Sequence, residues 1–420
     1  MMPAWKRIAI WALRLVVGGV FVMSGLVKMI DLWGFVFKIE EYLAVWQMVQ
    51  PRTIVFMAAL FISGYEFVLG ALLMMGCYKR SASWGLLLMM FVMLPLTLYL
   101  WMADPVSDCG CFGEFLKLSN AATFWKNVAI TAGLALLSVW NFRLKEALFN
   151  PAIQWIVVAW LSLYALLVGL YGYNVQPMID FRSFPEGTSL LQTDEDVDEG
   201  DFVFVYEKDG KQKEFDIDSL PDSTWTFVDR VSLGSDKKGG ASHLAFFDGD
   251  EDVTATEIDG EGMEILLVVS EPKRVGIRFS YIINEIKEYA DSIGVRMIAL
   301  LGTDRQGVEQ WISNSMAEYV CYSADDTQLK ELVRGNVGVV LLENGVIKSK
   351  NMLSWLDHDK IESPTSREEF LSEIGKTQDK ILFYNLFFGG VLLMFYMFQG
   401  IILAIRAKIK RAYRKKQAKI

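Results

Sequence analysis

Residues 8–30 read IAIWALRLVVGGVFVMSGLVKMI, and this run decides the fold class. The hydrocarbon core of a bilayer is about 30 Å thick, so a helix crossing it needs about 20 predominantly apolar residues. Lys6 and Arg7 precede the run as they would a signal peptide. Its apolar region is too long for one, however, Arg14 interrupts it, and no small-residue cleavage site follows. It reads as a retained span. Five further segments qualify: Thr53–Gly76, Ser81–Met102, Ala121–Trp140, Ala152–Tyr173 and Ile381–Ile405. The expectation is an α-helical membrane bundle of six spans, with the lipid bilayer as its first partner.

Charge placement supports that reading. The 420 residues carry 41 Lys+Arg and 50 Asp+Glu, a net charge of −9, with a mean hydropathy of +0.28. The charge is unevenly sorted. Residues 174–380 hold 21 basic and 42 acidic residues, net −21, and the remainder is net +12. Lys6/Arg7, Lys79/Arg80, Arg143/Lys145 and the tail from Arg406, RAKIKRAYRKKQAKI, fall on one side of the alternating spans. Asp31, Glu40, Glu41, Asp104, Asp108, Glu114 and the acidic block fall on the other. Basic loops stay cytoplasmic, so both termini are expected in the cytoplasm and residues 174–380 outside. The tail reads as a stop-transfer anchor drawn to anionic lipid. An ordinary cytosolic enzyme is excluded. So is a secreted disulfide scaffold, since four Cys cannot staple a chain this long. The acidic balance argues against nucleic acid, which selects a basic face.

The outside block has its own organisation. Leu190–Gly200 is an acidic linker, and Asp201–Ile217 alternates around Asp209-Gly210 as a β-hairpin. From Glu264 the pattern changes to strand (ILLVVS), helix (Arg278–Ser292), strand (VRMIALLG), helix (Arg305–Ala317), short strand (Glu318–Tyr322) and helix (Asp326–Arg334). A hairpin turning at Asn344-Gly345 closes it. This is a small α/β domain in an order resembling thioredoxin. The division expected is 1–175 for the bundle of spans one to five, 176–262 for the acidic linker and β-rich segment, 263–362 for the α/β domain, and 363–420 for a linker, the sixth span and the tail.

Few residues can do chemistry. Asp108-Cys109-Gly110-Cys111-Phe112-Gly113 lies in the outside loop between spans three and four. Two thiols one residue apart close only a very small ring. Disulfide geometry wants Cα atoms about 4.4–6.8 Å apart, so the chain must bend, and Gly110 supplies the freedom. A strained, exposed disulfide is easily reduced and acts as an exchange site. A permanent cross-link and a soft-metal site remain open beside that reading, although two ligands with no nearby His make a poor zinc site. Glu66, inside span two, is costly there and marks a functional site by default. Ser24 and Lys28 are four residues apart on one face of span one, with Asp31 three further on. An ion pair that fixes helix packing is the rival reading. Arg14 and Lys126 lie nearer span ends and are expected to snorkel. Cys77, Cys321, His243 and His358 read as structural. Walker-loop, nucleophile-elbow and zincin motifs are missing from the sequence.

SGLVKMIDLWGF in span one, the intramembrane Glu66 and DCGCFG after span three together resemble the DoxX/MauE family of redox-associated membrane proteins, over about Ile8 to Asn141. The whole arrangement, with YNVQPMIDFRSFPEGTSL after span five, resembles the longer DoxX-family proteins of Bacteroidota. The resemblance implies a four-helix unit and a role in periplasmic thiol–disulfide traffic with an envelope protein client. Quinone is a candidate cofactor, and the chain would be a thiol–disulfide or quinone-linked oxidoreductase. Cys109 and Cys111 carry the family match; Lys28, Asp31 and Glu66 match weaker positions. The α/β domain departs from an active thioredoxin. Where Cys-x-x-Cys should follow the first strand, the chain has Glu271-Pro272-Lys273-Arg274-Val275-Gly276, and Gly335-Asn336-Val337-Gly338 replaces the expected proline. It resembles a degenerate thioredoxin fold kept for docking. Two functions follow as expectations: thiol–disulfide exchange through the Cys pair, or a non-enzymatic envelope scaffold in which that pair is a cross-link.

Overall fold

The computed structural model describes the chain apart from residues 1–2, 105, 107–108, 117, 141–146, 178–179, 181, 192–201, 209–210, 217–225, 233–243, 363, 377–384, 386, 398, 401 and 404–420. Two compact units emerge, Met1–Phe181 with Thr377–Ile420, and Arg182–Lys376.

The first unit is helical: α1 (Ala4–Ile30), α2 (Leu32–Val45), α3 (Arg52–Met75), α4 (Lys79–Ala103), α5 (Asn120–Trp140) and α6 (Gln154–Asn174). Among the described residues, five of these (α1, α3, α4, α5 and α6) are long and apolar enough to cross a membrane. Of the expected sixth span, Phe387–Met397 forms a shorter apolar helix. The rest of that span, the basic tail and Arg143/Lys145 include residues outside those described. Trp5, Trp84 and Trp155 are exposed near the starts of α1, α4 and α6, and Trp101 and Trp125 near the adjoining ends of α4 and α5. Such rings suit the two interfaces of a bilayer.

The seam between α1 and α3 fixes the bundle. A Cβ on Gly25 would lie 2.6 Å from the Ser63 carbonyl oxygen, and one on Gly70 would lie 2.9 Å from the Gly18 carbonyl oxygen. Without a hydrophobic drive between helices in lipid, close backbone packing through small residues holds spans together. Arg14 departs from the expected snorkelling. It is fully buried, its Nε donates to the Leu73 carbonyl at 3.1 Å, and its guanidinium stacks on Trp11. The reason is local. α3 ends at Gly76 in the left-handed region (φ 69°), and a side chain there would collide with the guanidinium. The last carbonyls of a helix, partly negative, are a natural seat for a cation.

α2 was not foreseen as an element. Asp31 ends α1 and caps α2, accepting from the Gly34 N–H at 3.0 Å. Arg52 grips Glu40 on α2 through two bonds of 3.0 and 2.8 Å, and Trp33 donates to the Tyr173 carbonyl at 2.8 Å.

The second unit contains two sheets. β1 (Phe202–Lys208), β2 (Lys211–Asp216) and β3 (Thr226–Ser232) form an antiparallel sheet in the order β2-β1-β3. Lys208 pairs with Lys211, so the hairpin register agrees with the sequence, while its Asp209-Gly210 turn lies outside the described residues. The larger sheet takes β4 (Phe246–Asp248), β5 (Glu251–Asp252), β6 (Met263–Val269), β7 (Arg296–Leu301), β8 (Val320–Ala324), β9 (Val337–Glu343) and β10 (Val346–Met352). Their order is β10-β9-β6-β7-β8-β4-β5. β6, β7 and β8 are parallel, while β9 runs antiparallel to β6 and β10. α7 (Thr254–Glu257), α8 (Ile277–Ser292), α9 (Arg305–Ser315), α10 (Asp326–Leu332), α11 (His358–Glu362) and α12 (Arg367–Ile374) accompany it. The expected strand–helix alternation from Glu264 is present. Asn344 and Gly345 make the hairpin turn at φ 53° and 70°, as a two-residue turn matching strand twist requires. Two segments lie differently from the expected partition. β4 and β5 belong to the larger sheet, and α12, within the stretch read as a linker, buries Phe370 and Ile374 completely in its core.

Candidate functional site

The close α1–α3 seam determines which polar groups meet. Lys28 and Glu66 are each 2% exposed. Lys28 Nζ lies 2.8 and 2.9 Å from the two Glu66 carboxylate oxygens. Ser24, one turn before Lys28, places its Oγ 2.8 Å from Glu66 Oε2 and 2.7 Å from the Cys111 carbonyl oxygen. A hydroxyl has one hydrogen, so Ser24 donates to one of these acceptors at a time. The buried ion pair and the cysteine loop are therefore linked through one side chain.

The loop is folded inward. Cys109 and Cys111 are both free thiols, each 8% exposed, in an apolar cluster with Leu100 and Val106, against which Tyr42 and Phe112 pack. Gly110 sits at φ 61°, and a Cβ there would approach Lys38 Cγ at 2.7 Å, so α2 closes directly over it. Asn120, which opens α5, donates to Asp104 Oδ1 at 2.7 Å and to the Val106 carbonyl at 2.9 Å, tying both ends of the loop. A small pocket lies between the loop and Thr123.

The two thiols differ in their surroundings. The Cys111 thiol donates to the Cys109 sulfur, and the Cys111 N–H reaches it at 3.3 Å. With the Thr123 hydroxyl and the Lys126 charge added, these outweigh burial and bring the Cys109 pKa down to about 6. Cys111, whose proton is held in that bond and which is deeply buried, is pushed well above the ordinary thiol range. A neighbour that donates to a thiolate stabilises it and makes the sulfur a nucleophile at neutral pH.

Of the residues singled out in the sequence, the structure brings together Ser24, Lys28, Glu66, Cys109, Gly110 and Cys111. Asp31 works one turn beyond Lys28, at the α1–α2 junction, and Asp108 lies outside the described residues. Thr123 and Lys126 were not foreseen at the site. Lys126, half-buried, places its Nζ 4.5 Å from the centroid of Phe112 in the loop. The one signal for this pair was their spacing, three residues apart at the start of the span that follows the cysteine loop. Cys321 is in the second unit, where burial raises its pKa to about 12. Cys77 is fully buried among the helices of the first unit. No group of three or more metal-ligating side chains occurs among the described residues.

Residues 6–141 match the model of the family described as Methylamine utilisation protein MauE. Residues 201–233, which span β1 to β3, match a domain of unknown function (DUF8463). No curated protein and no solved structure matches the chain. Over about a third of its length, on apolar helices long enough to cross a bilayer, this chain is thus similar to the MauE family of proteins.

Proposed function

We propose that the chain is an inner-membrane thiol–disulfide protein in which Cys109 and Cys111 cycle between dithiol and disulfide at the periplasmic face. The observation that carries this reading is the Ser24 hydroxyl, within hydrogen-bond reach of both the Glu66 carboxylate and the Cys111 carbonyl. Oxidation of a dithiol releases protons, and the buried Ser24–Glu66–Lys28 set is a place to hold one. Ser24 joins that set to the carbonyl of Cys111, so charge in the bundle and loop conformation are linked. Asp31, one turn on, would lead that proton outward, and quinone is the candidate electron acceptor from the membrane side. The second unit would be a thioredoxin-like docking domain without its own chemistry. Its support is the β6–β7 parallel pair with the β9–β10 hairpin. After β6, Glu271-Pro272-Lys273-Arg274 supplies no thiol, and the Glu271 N–H is bound by Asn336 Oδ1 at 2.9 Å. Its client would be a periplasmic or envelope protein.

Alkylation of the thiols in native membranes, with and without reductant, tests this. The exchange reading expects a fraction of Cys109/Cys111 that becomes labelled only after reduction. Two thiols that stay free in an oxidising compartment contradict it. The scaffold reading is favoured by one fact, the 8% exposure of both sulfurs within an apolar cluster. It expects a Cys109→Ser/Cys111→Ser variant to keep every partner and its cellular role.

A further inference from the structure

Thiol–disulfide exchange leaves open which sulfur meets the substrate, and the geometry of the loop is asymmetric. The Cys111 N–H donates to the Cys109 sulfur at 3.3 Å, and the Cys111 thiol and the Thr123 hydroxyl favour its thiolate. Cys111 supplies two of these three groups and is itself anchored at its carbonyl by Ser24. Thr123 is fully buried, its hydroxyl has no hydrogen-bond partner among the described residues, and it lines the pocket that Cys109 also lines. A helical threonine usually returns its proton to the carbonyl one turn back. Here the hydroxyl is left without a partner in the pocket that Cys109 also lines, available to a sulfur anion.

We propose, building on the exchange reading, that Cys109 is the sulfur that forms the mixed disulfide with a substrate disulfide, that Cys111 is the resolving thiol, and that Thr123 is the residue that positions and stabilises the Cys109 thiolate. The Cys109 thiolate attacks one sulfur of the substrate disulfide. The Cys109–substrate S–S bond forms, the substrate S–S bond breaks, and the departing thiolate takes the Cys111 proton. The Cys111 thiolate then attacks Cys109 Sγ, closing the Cys109–Cys111 disulfide and expelling the second substrate thiolate, which is protonated by water. The substrate gains two electrons and the pair loses two; the reverse reaction uses the same sulfurs. Thr123 acts on the Cys109 thiolate that opens the first step and that the reverse reaction regenerates.

The test uses full-length protein in lipid vesicles, with oxidised glutathione as the disulfide and intact mass as the readout. Cys111→Ser is expected to capture one glutathione on Cys109, at least ten-fold faster than Cys109→Ser captures it on Cys111. Equal capture, or faster capture by Cys109→Ser, overturns the assignment while leaving exchange intact. Failure of the wild-type pair to form its disulfide at any glutathione ratio overturns the exchange reading itself. Thr123→Val in the Cys111→Ser background is expected to move the pH of half-maximal capture upward by about one unit, with the rate on the high-pH plateau kept, and Thr123→Ser to restore it. An unchanged pH profile in Thr123→Val removes Thr123 from the proposal, and an unchanged melting temperature shows that the shift is not unfolding.

Discussion

The two units bury polar groups for different ends. In the helical unit, Lys28 and Glu66 are 2% exposed and their neighbour Ser24 reaches out of the pair to the cysteine loop. In the sheet unit, the buried polar side chains serve the fold. Asn351 donates to the Ile374 carbonyl at 2.9 Å, Ser349 to the same oxygen at 3.3 Å, and Cys321 stays protonated. A buried ion pair adds little net stability over an apolar replacement. A polar group that is kept in the membrane although packing does not need it therefore points to chemistry.

That contrast can be broken experimentally. The largest expected effect is Cys109→Ser or Cys111→Ser, each abolishing formation of an internal disulfide by mass, whereas Cys321→Ser leaves it unchanged. Next comes the ion pair. Glu66→Ala leaves a buried ammonium alone and is expected to cost about 3–5 kcal/mol in unfolding experiments. Lys28→Met/Glu66→Leu should regain most of it, a non-additivity that a double-mutant cycle reads directly. Gly25→Val drives a side chain into the Ser63 carbonyl and is expected to destabilise the bundle by about 3 kcal/mol. Smaller is Arg52→Lys, which replaces a two-bond grip on Glu40 and should cost about 1 kcal/mol while loosening α2.

The pH dependence has a definite sign. The folded Cys109 pKa, about 6, lies below the ordinary thiol value. Its thiolate therefore contributes stability that is complete above the ordinary range and is lost as pH falls through about 6. Alkylation of Cys109 should be half-maximal near that pH. Half-maximal alkylation in the ordinary range, about 8.5, would contradict this stabilisation of the thiolate.

The spans, the cysteine loop and the Ser24/Lys28/Glu66 set were legible because each is a polar break in an apolar run, or an apolar run of diagnostic length. The hairpin at Asn344-Gly345 was legible because only such residues accept that turn. α2 was hidden: Leu32–Val45 is too short to span, and Glu40 and Glu41 read as loop charge, while its real role comes from tertiary contacts to Arg52 and Gly110. Thr123 was hidden because threonine is unremarkable in a span, and Lys126 and Arg14 because a cation near a span end looks like one that snorkels. Only the folded chain shows the groups they face. β3, seven residues flanked by polar stretches, carried too weak an alternation to separate it from the linker.

The most direct measurement is the redox equilibrium of the full-length protein in lipid against defined glutathione ratios, read by alkylation and mass, for the wild type, Ser24→Ala and Glu66→Gln. A wild-type pair that titrates as one two-electron couple, with its equilibrium constant displaced at least several-fold in both variants, is the expected result. A pair that does not titrate, or variants that titrate like the wild type, would contradict the coupling of Cys109 and Cys111 to the buried charges.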